Sequence, residues 1–283
     1  MSYLKVPGAS LYYEIAGSGP VLLLIPGSPA DAYDFVAIAP LLADRYTVVS
    51  YDWRGFSRSR LDGPPQDVPL EVQADDAHRL LLATGAEAAQ VLGSSAGGLV
   101  GLALLARHPE QVHTLVAHEP PAVALLPEGD PRRALGQQVY DTYRQQGAGP
   151  AIQLFSAGLG LGGGQPPGGS GAQGEPPAEL QEVMARMQQK LARMQPNVDF
   201  FLAHVLPSIA DVPDTATLQA ASSRIVVAVG EASAGQLAND TALALAKRLG
   251  TNAVTFPGGH AGFLTHPAAF AHKLREVLQV ASP

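Results

Sequence analysis

The five residues Gly93-Ser94-Ser95-Ala96-Gly97 set a serine between two glycines, and the chain on either side gives that serine a reason to be reactive. A short apolar run precedes them and an apolar segment long enough for a helix follows, the whole stretch running from Ala89 to Ala106. Strand, sharp turn and helix in that order hold the central residue in a strained backbone conformation. The glycines sit where a Cβ would strike the neighbouring strand and helix. Ser95 then stands at a helix start, where free N–H groups and the helix dipole favour negative charge on a reacting oxygen. A neutral hydroxyl is a weak nucleophile and needs a base within hydrogen-bond reach. His260, in the loop after the last expected strand, is the candidate base. Of the other histidines, His78, His108 and His272 fall on expected helices, His113 begins a strand and His266 precedes a proline.

Strands must bring these residues to one sheet edge. An opening hairpin is expected from Leu4 to Val6 and Leu11 to Ile15, around Pro7-Gly8-Ala9-Ser10. Val21 to Ile25 and Thr47 to Tyr51 read as buried strands. Asp31 to Ala43 has helical spacing, Glu71 to Thr84 reads as a helix and His113 to Ala117 as a strand. Later, strands at Arg224 to Val229 and Ala253 to Phe256 alternate with a helix in Ala234 to Leu249 and a closing one from about Pro267 to Val280. This alternation predicts an α/β fold with a mostly parallel sheet of the eight-stranded type.

The rhythm changes between Pro120 and about Ala221. Arg132 to Gln146 and Ala178 to Gln195 are expected helices, the second carrying Leu180, Val183, Met184, Met187, Leu191 and Met194 on one face. That face can pack on the domain below or line a substrate cavity, since methionine adapts to irregular ligands. Residues 158–177 are rich in glycine and proline without periodicity and predict a mobile loop. The expected organisation is a core of residues 1–119 and 222–283 with residues 120–221 inserted as a helical cap.

Composition bounds the function. At 283 residues the chain suits one large domain or one domain with an insertion, and 46% apolar with 15% charged residues is globular. A net charge of −7 argues against a phosphate-binding surface and hence against nucleic acid. Without cysteine there is no disulfide, thiolate metal site or cysteine nucleophile. No leader-like segment and no apolar run near the ~20 residues of a membrane span is present, so a cytoplasmic protein without membrane partners is expected.

Four motifs in this order resemble the α/β-hydrolase superfamily, across nearly the entire chain and least in the cap. They are Pro26-Gly27-Ser28-Pro29 after the third strand, Asp52-Trp53-Arg54-Gly55-Phe56-Ser57-Arg58-Ser59 after the fourth, the Gly93–Gly97 elbow, and Pro257-Gly258-Gly259-His260-Ala261-Gly262-Phe263. In detail the chain is most similar to small, capped, esterase-like bacterial members. The resemblance implies a Ser95, acid, His260 triad and an oxyanion hole from the N–H groups of Ala96 and Ser28. Many relatives carry His-Gly where Pro26-Gly27 stands, which removes a loop-orienting side chain but leaves the backbone donor. Asp52 and Arg54 are expected to fix their loop.

The acid is where the chain departs from the family. Relatives commonly carry an aspartate three residues beyond the glycine that ends the strand before the final helix–strand unit; that glycine is Gly230, and Ser233 occupies the position. A serine cannot supply the negative charge that stabilises an imidazolium. Glu119 occupies an acid position used by some members, at a strand end before Pro120-Pro121, and is preferred; Glu231 is the alternative.

The expected function is a serine hydrolase of a small carboxylic ester or lactone, with no cofactor or metal implied and the oligomeric state open. A serine at the elbow centre argues against carboxylate-nucleophile dehalogenase or epoxide hydrolase chemistry. Carbon–carbon bond hydrolysis or cofactor-free peroxidation on the same scaffold, or a non-catalytic ligand-binding member, are the alternatives.

Overall fold

The computed structural model describes residues 2–160, 178–208 and 212–280. Its strands are β1 (Ser2–Val6), β2 (Ala9–Ala16), β3 (Val21–Ile25), β4 (Thr47–Tyr51), β5 (Arg60–Leu61), β6 (Ala89–Ser94), β7 (Val112–His118), β8 (Ile225–Gly230) and β9 (Val254–Phe256). They form one sheet in the order β1-β2-β4-β3-β6-β7-β8-β9, with the two-residue β5 beside β2. The pairings of β3 with β4, β3 with β6, β6 with β7, β7 with β8 and β8 with β9 are parallel. Only the β1–β2–β4 end and β5 pair antiparallel.

β3, at the centre, is apolar throughout because both sheet faces are covered. In β3, Leu22 and Leu24 face a core layer with Phe35, Ile38, Leu42, Phe270 and Leu274. Leu23 and Ile25, one residue out of phase, face Leu80, Leu81, Leu99 and Leu102 on the other side. The helices supplying these layers are α1 (Ala39–Leu42), α2 (Leu70–Ala83), α3 (Ala96–Arg107), α8 (Leu237–Leu249), α9 (Gly262–Thr265) and α10 (Pro267–Val280). Between β7 and β8 the chain makes a helical insertion: α4 (Leu135–Gln146), α5 (Ala148–Gly158), α6 (Ala178–Phe200) and α7 (Thr215–Ala220). No described helix is long and apolar enough to cross a membrane.

Two expectations need correction. Asp31 to Ala43 is not one helix: Asp31 caps a short 3₁₀ turn, Ala32–Phe35, by accepting from the Tyr33 N–H, and α1 starts afresh. Pro40 forces the break, since it has no N–H to give a preceding carbonyl and can only open a helix. The second concerns the apolar stripe on α6. Leu191 is 63% exposed while Met194 lines a cavity. Leu180, Val183, Met184 and Met187 lie outside the residues whose side chains are described. Of the expected loop 158–177, Gly158 ends α5, and positions 161–177 lie outside the described residues.

Candidate active site

The turn between β6 and α3 is as tight as its glycines suggest. A Cβ on Gly93 would lie 2.2 Å from the Gly97 carbonyl oxygen, and one on Gly97 would lie 2.2 Å from that of Ile25. Ser95 takes φ 54° and ψ −126°, a left-handed conformation that a non-glycine residue holds only when its surroundings enforce it. Its N–H donates to the His118 carbonyl at 2.8 Å, locking the elbow to the end of β7. The residue is 8% exposed, at the wall of a cavity under the inserted helices. Ala96 opens α3, so its N–H has no acceptor within the helix. The loop carrying Ser28 lies against the serine: a Cβ on Gly27 would stand 3.1 Å from the Ser95 Cβ.

His260 reaches the same cavity from the turn after β9. Its Nδ1 lies 2.8 Å from Glu119 Oε2, and the pair is shielded, with the carboxylate fully buried and the imidazole 10% exposed. Glu119 follows β7 with φ 48°, again left-handed. Its other oxygen accepts the Gly230 N–H at 2.9 Å, the Ser233 hydroxyl in a short hydrogen bond, and the Asn239 amide at 3.4 Å. Burial pushes this carboxyl upward, but the hydrogen bonds from His260, Ser233 and Gly230 outweigh it and bring it down to about 2. Ser233, which occupies the position where the resemblance places an aspartate, thus serves here as a hydrogen-bond donor to Glu119. Its spacing from Gly230 is visible in the sequence; its partner is not. Glu231 is exposed and accepts only a long contact, 3.4 Å from the Gly258 N–H.

Next to Glu119, His118 is fully buried among Phe256, Phe263 and Phe270, with neither ring nitrogen partnered among the described residues. Burial lowers its pKa to about 4, the Glu119 charge opposing and His260 reinforcing the shift, so it stays neutral.

A family model described as the alpha/beta hydrolase fold matches residues 20–157. Over 281 residues the chain is 34% identical to the uncharacterized hydrolase YraK of Bacillus subtilis, covering 98% of this chain and 95% of that one. The chain belongs to the α/β-hydrolase family. A putative carbamate hydrolase, RutD of Azorhizobium caulinodans, is 37% identical over 115 residues, 41% of this hydrolase and 43% of that one. Among solved structures, an esterase from Thermogutta terrifontis superposes with TM-score 0.74 over the full length of both chains at 21% identity.

Around this centre the hydrolase fastens its loops with buried ion pairs. Asp52 accepts the Ala32 N–H at 3.0 Å and pairs with Arg58 at 2.7 Å, while Arg54 grips Asp76 with two bonds of 2.6 Å. The inserted helix α6 is tied to the Ser28 loop by contacts its sequence does not advertise. Asn197 donates to the Pro29 carbonyl and the Ser57 hydroxyl and accepts the Ser57 N–H. Arg193 pairs with Asp31 and Lys190 with Asp34. Positions 190, 193 and 197 follow i, i+3, i+7 spacing, so the seam facing the core is partly cationic and is rotated away from Leu191. One group among the described residues, His78, His108 and Glu110, has ligand atoms within 4.8 Å of one another. The two rings stack 3.7 Å apart and nearly parallel, so their in-plane lone pairs do not converge on one ion; Gln111 and Asp75 already hold one nitrogen of each.

Proposed function

We propose that the protein is a serine hydrolase that cleaves a small carboxylic ester or lactone through an acyl-enzyme. The observation that carries this reading is the buried Glu119–His260 hydrogen bond, with His260 and Ser95 lining one cavity. Ser95 Oγ attacks the substrate carbonyl carbon while its proton passes to His260 Nε2, the nitrogen left free by Glu119. Glu119, ionised because its carboxyl is held at about 2, stabilises the imidazolium and fixes the tautomer. The oxygen of the tetrahedral intermediate takes its negative charge toward the N–H groups of Ala96 and Ser28. Collapse breaks the bond to the leaving oxygen, which takes the proton from His260. Water, deprotonated by the same imidazole, then attacks the acyl-serine and frees the acid. The helices inserted between β7 and β8 serve as the cap over this cavity.

The test is a fluorophosphonate probe read by intact mass. The wild type is expected to gain one adduct on Ser95, and Ser95→Ala none, with hydrolysis of short p-nitrophenyl esters lost in parallel. A wild type that takes no adduct, or a Ser95→Ala variant as active as wild type, would overturn the reading.

A further inference from the structure

The cavity has two lobes that meet at Ser95, Phe155 and Leu159. The first, about 360 Å³, has apolar walls at Val123, Leu135, Tyr140, Leu206 and Leu237, with Asp67, Arg133 and Gln137 among its polar lining. The second, about 310 Å³, is lined by His260 and Ser28, by Met194, Val198 and Phe263, and by Lys190 and Asp34. His260 belongs to the second lobe and not to the first. A general acid must lie within hydrogen-bond reach of the oxygen it protonates, so the leaving alcohol occupies the His260 lobe and the acyl group the other.

The second lobe is mainly apolar, and its few polar groups are placed in a way that selects a ligand. Lys190 and Asp34 form an ion pair at its wall, with side chains 19% and 14% exposed. An ammonium has three donors, and Asp34 takes one of them; the carboxylate keeps acceptor capacity of its own. The pair is neutral as a unit, so it favours neither an anionic nor a cationic group but offers a donor and an acceptor together. Such groups are matched by hydroxyls, which donate and accept at once. Resting on the serine-hydrolase reading, we infer that the leaving group is a polyhydroxylated alcohol, recognised in the His260 lobe by Lys190 and Asp34, and that the acyl group is apolar.

Glyceryl monobutyrate and propyl butyrate share an acyl group and a three-carbon alcohol and differ in the two free hydroxyls. The wild type is expected to favour the glyceryl ester by about tenfold or more in kcat/KM, because a site built to bond hydroxyls rejects an analogue lacking them. Lys190→Met combined with Asp34→Leu removes both charges together and leaves neither buried alone. Arg193–Asp31 and Asn197 still hold α6 to the core. This double variant is expected to lose the preference, its kcat/KM for the glyceryl ester falling several-fold further than that for propyl butyrate, and its circular dichroism spectrum reports that it folds. Equal rates on the two esters by wild type would overturn the inference whatever the variant does, and so would an equal loss on both esters in the variant. Fluorophosphonate labelling of Ser95 separates the two levels: labelling without preference sinks the alcohol assignment alone, and no labelling sinks the nucleophile assignment with it.

Discussion

The corner around Glu119 and the seam beneath α6 are both polar and each holds a residue that lines the same cavity, His260 and Lys190, yet they are held by different means. In the corner, the donors to Glu119 come from Gly230 at the end of β8 and from Ser233 and Asn239 just beyond it. Parallel pairing of β7 with β8, His118 opposite Ala228, carries Glu119 past the strand end to that position. The Glu119 N–H then donates to the Ala228 carbonyl at 2.9 Å. In the seam, Lys190, Arg193 and Asn197 reach loops 140 to 168 positions away through side chains alone. Backbone register places the corner, and side-chain choice places the seam. The corner is therefore expected to fail on the loss of one charge, and the seam to weaken by degrees.

The largest expected effect breaks the corner. Glu119→Gln keeps the shape but removes the charge facing the imidazolium, and kcat on a p-nitrophenyl ester is expected to fall by about 10⁴-fold. Glu231→Gln, changing an exposed carboxylate with one long contact, is expected to leave kcat within about twofold. The reverse ranking would move the acid to Glu231 and remove the corner from the mechanism.

The next effect is on stability and comes from His118. In the folded chain burial holds this imidazole neutral down to about pH 4, whereas the unfolded chain takes up a proton below its ordinary 6.5. The unfolded state thus gains protons first, and stability drains away as pH falls from 6.5 to about 4, by about 3 kcal/mol. Glu119 acts lower: its folded pKa lies below its ordinary 4.5, so its contribution is complete above 4.5 and is lost as pH falls toward about 2. His118→Phe, surrounded by Phe256, Phe263 and Phe270, is expected to flatten the upper part of this profile. Urea unfolding at pH 7 and pH 4.5 measures it; equal losses in variant and wild type would place the acid sensitivity elsewhere.

The same contrast explains how much the sequence reveals. The sheet is legible because β3 is wholly apolar and β7 carries the unbroken apolar run 115–117, a pattern that suits strands covered on both faces. The elbow, the histidine loop and the strand-end carboxylate are legible because each is a short motif set by its own backbone. Ser233 is visible as a missing aspartate but not as a hydroxyl donor, since its partner lies 114 positions away. The orientation of α6 is hidden for a related reason. Hydrophobic periodicity turns Leu191 inward, yet the seam is anchored through Lys190, Arg193 and Asn197, which a hydrophobicity pattern assigns to solvent.

That rotation supplies the smallest effects, and they sharpen the comparison from the cap side. Asn197 is buried, and Asn197→Ala strips hydrogen bonds from the Ser57 N–H and hydroxyl and the Pro29 carbonyl. A loss of about 2 kcal/mol is expected, since groups left unbonded in a buried place carry the desolvation cost. Leu191→Gln, at a side chain 63% exposed, is expected to stay within about 0.5 kcal/mol of wild type. Thermal melts of the two variants beside wild type compare them directly. Were Leu191 the residue packed on the core, its replacement by a polar chain would cost several kcal/mol and exceed the Asn197→Ala loss. The order of the two melting temperatures therefore reports which face of α6 meets the core.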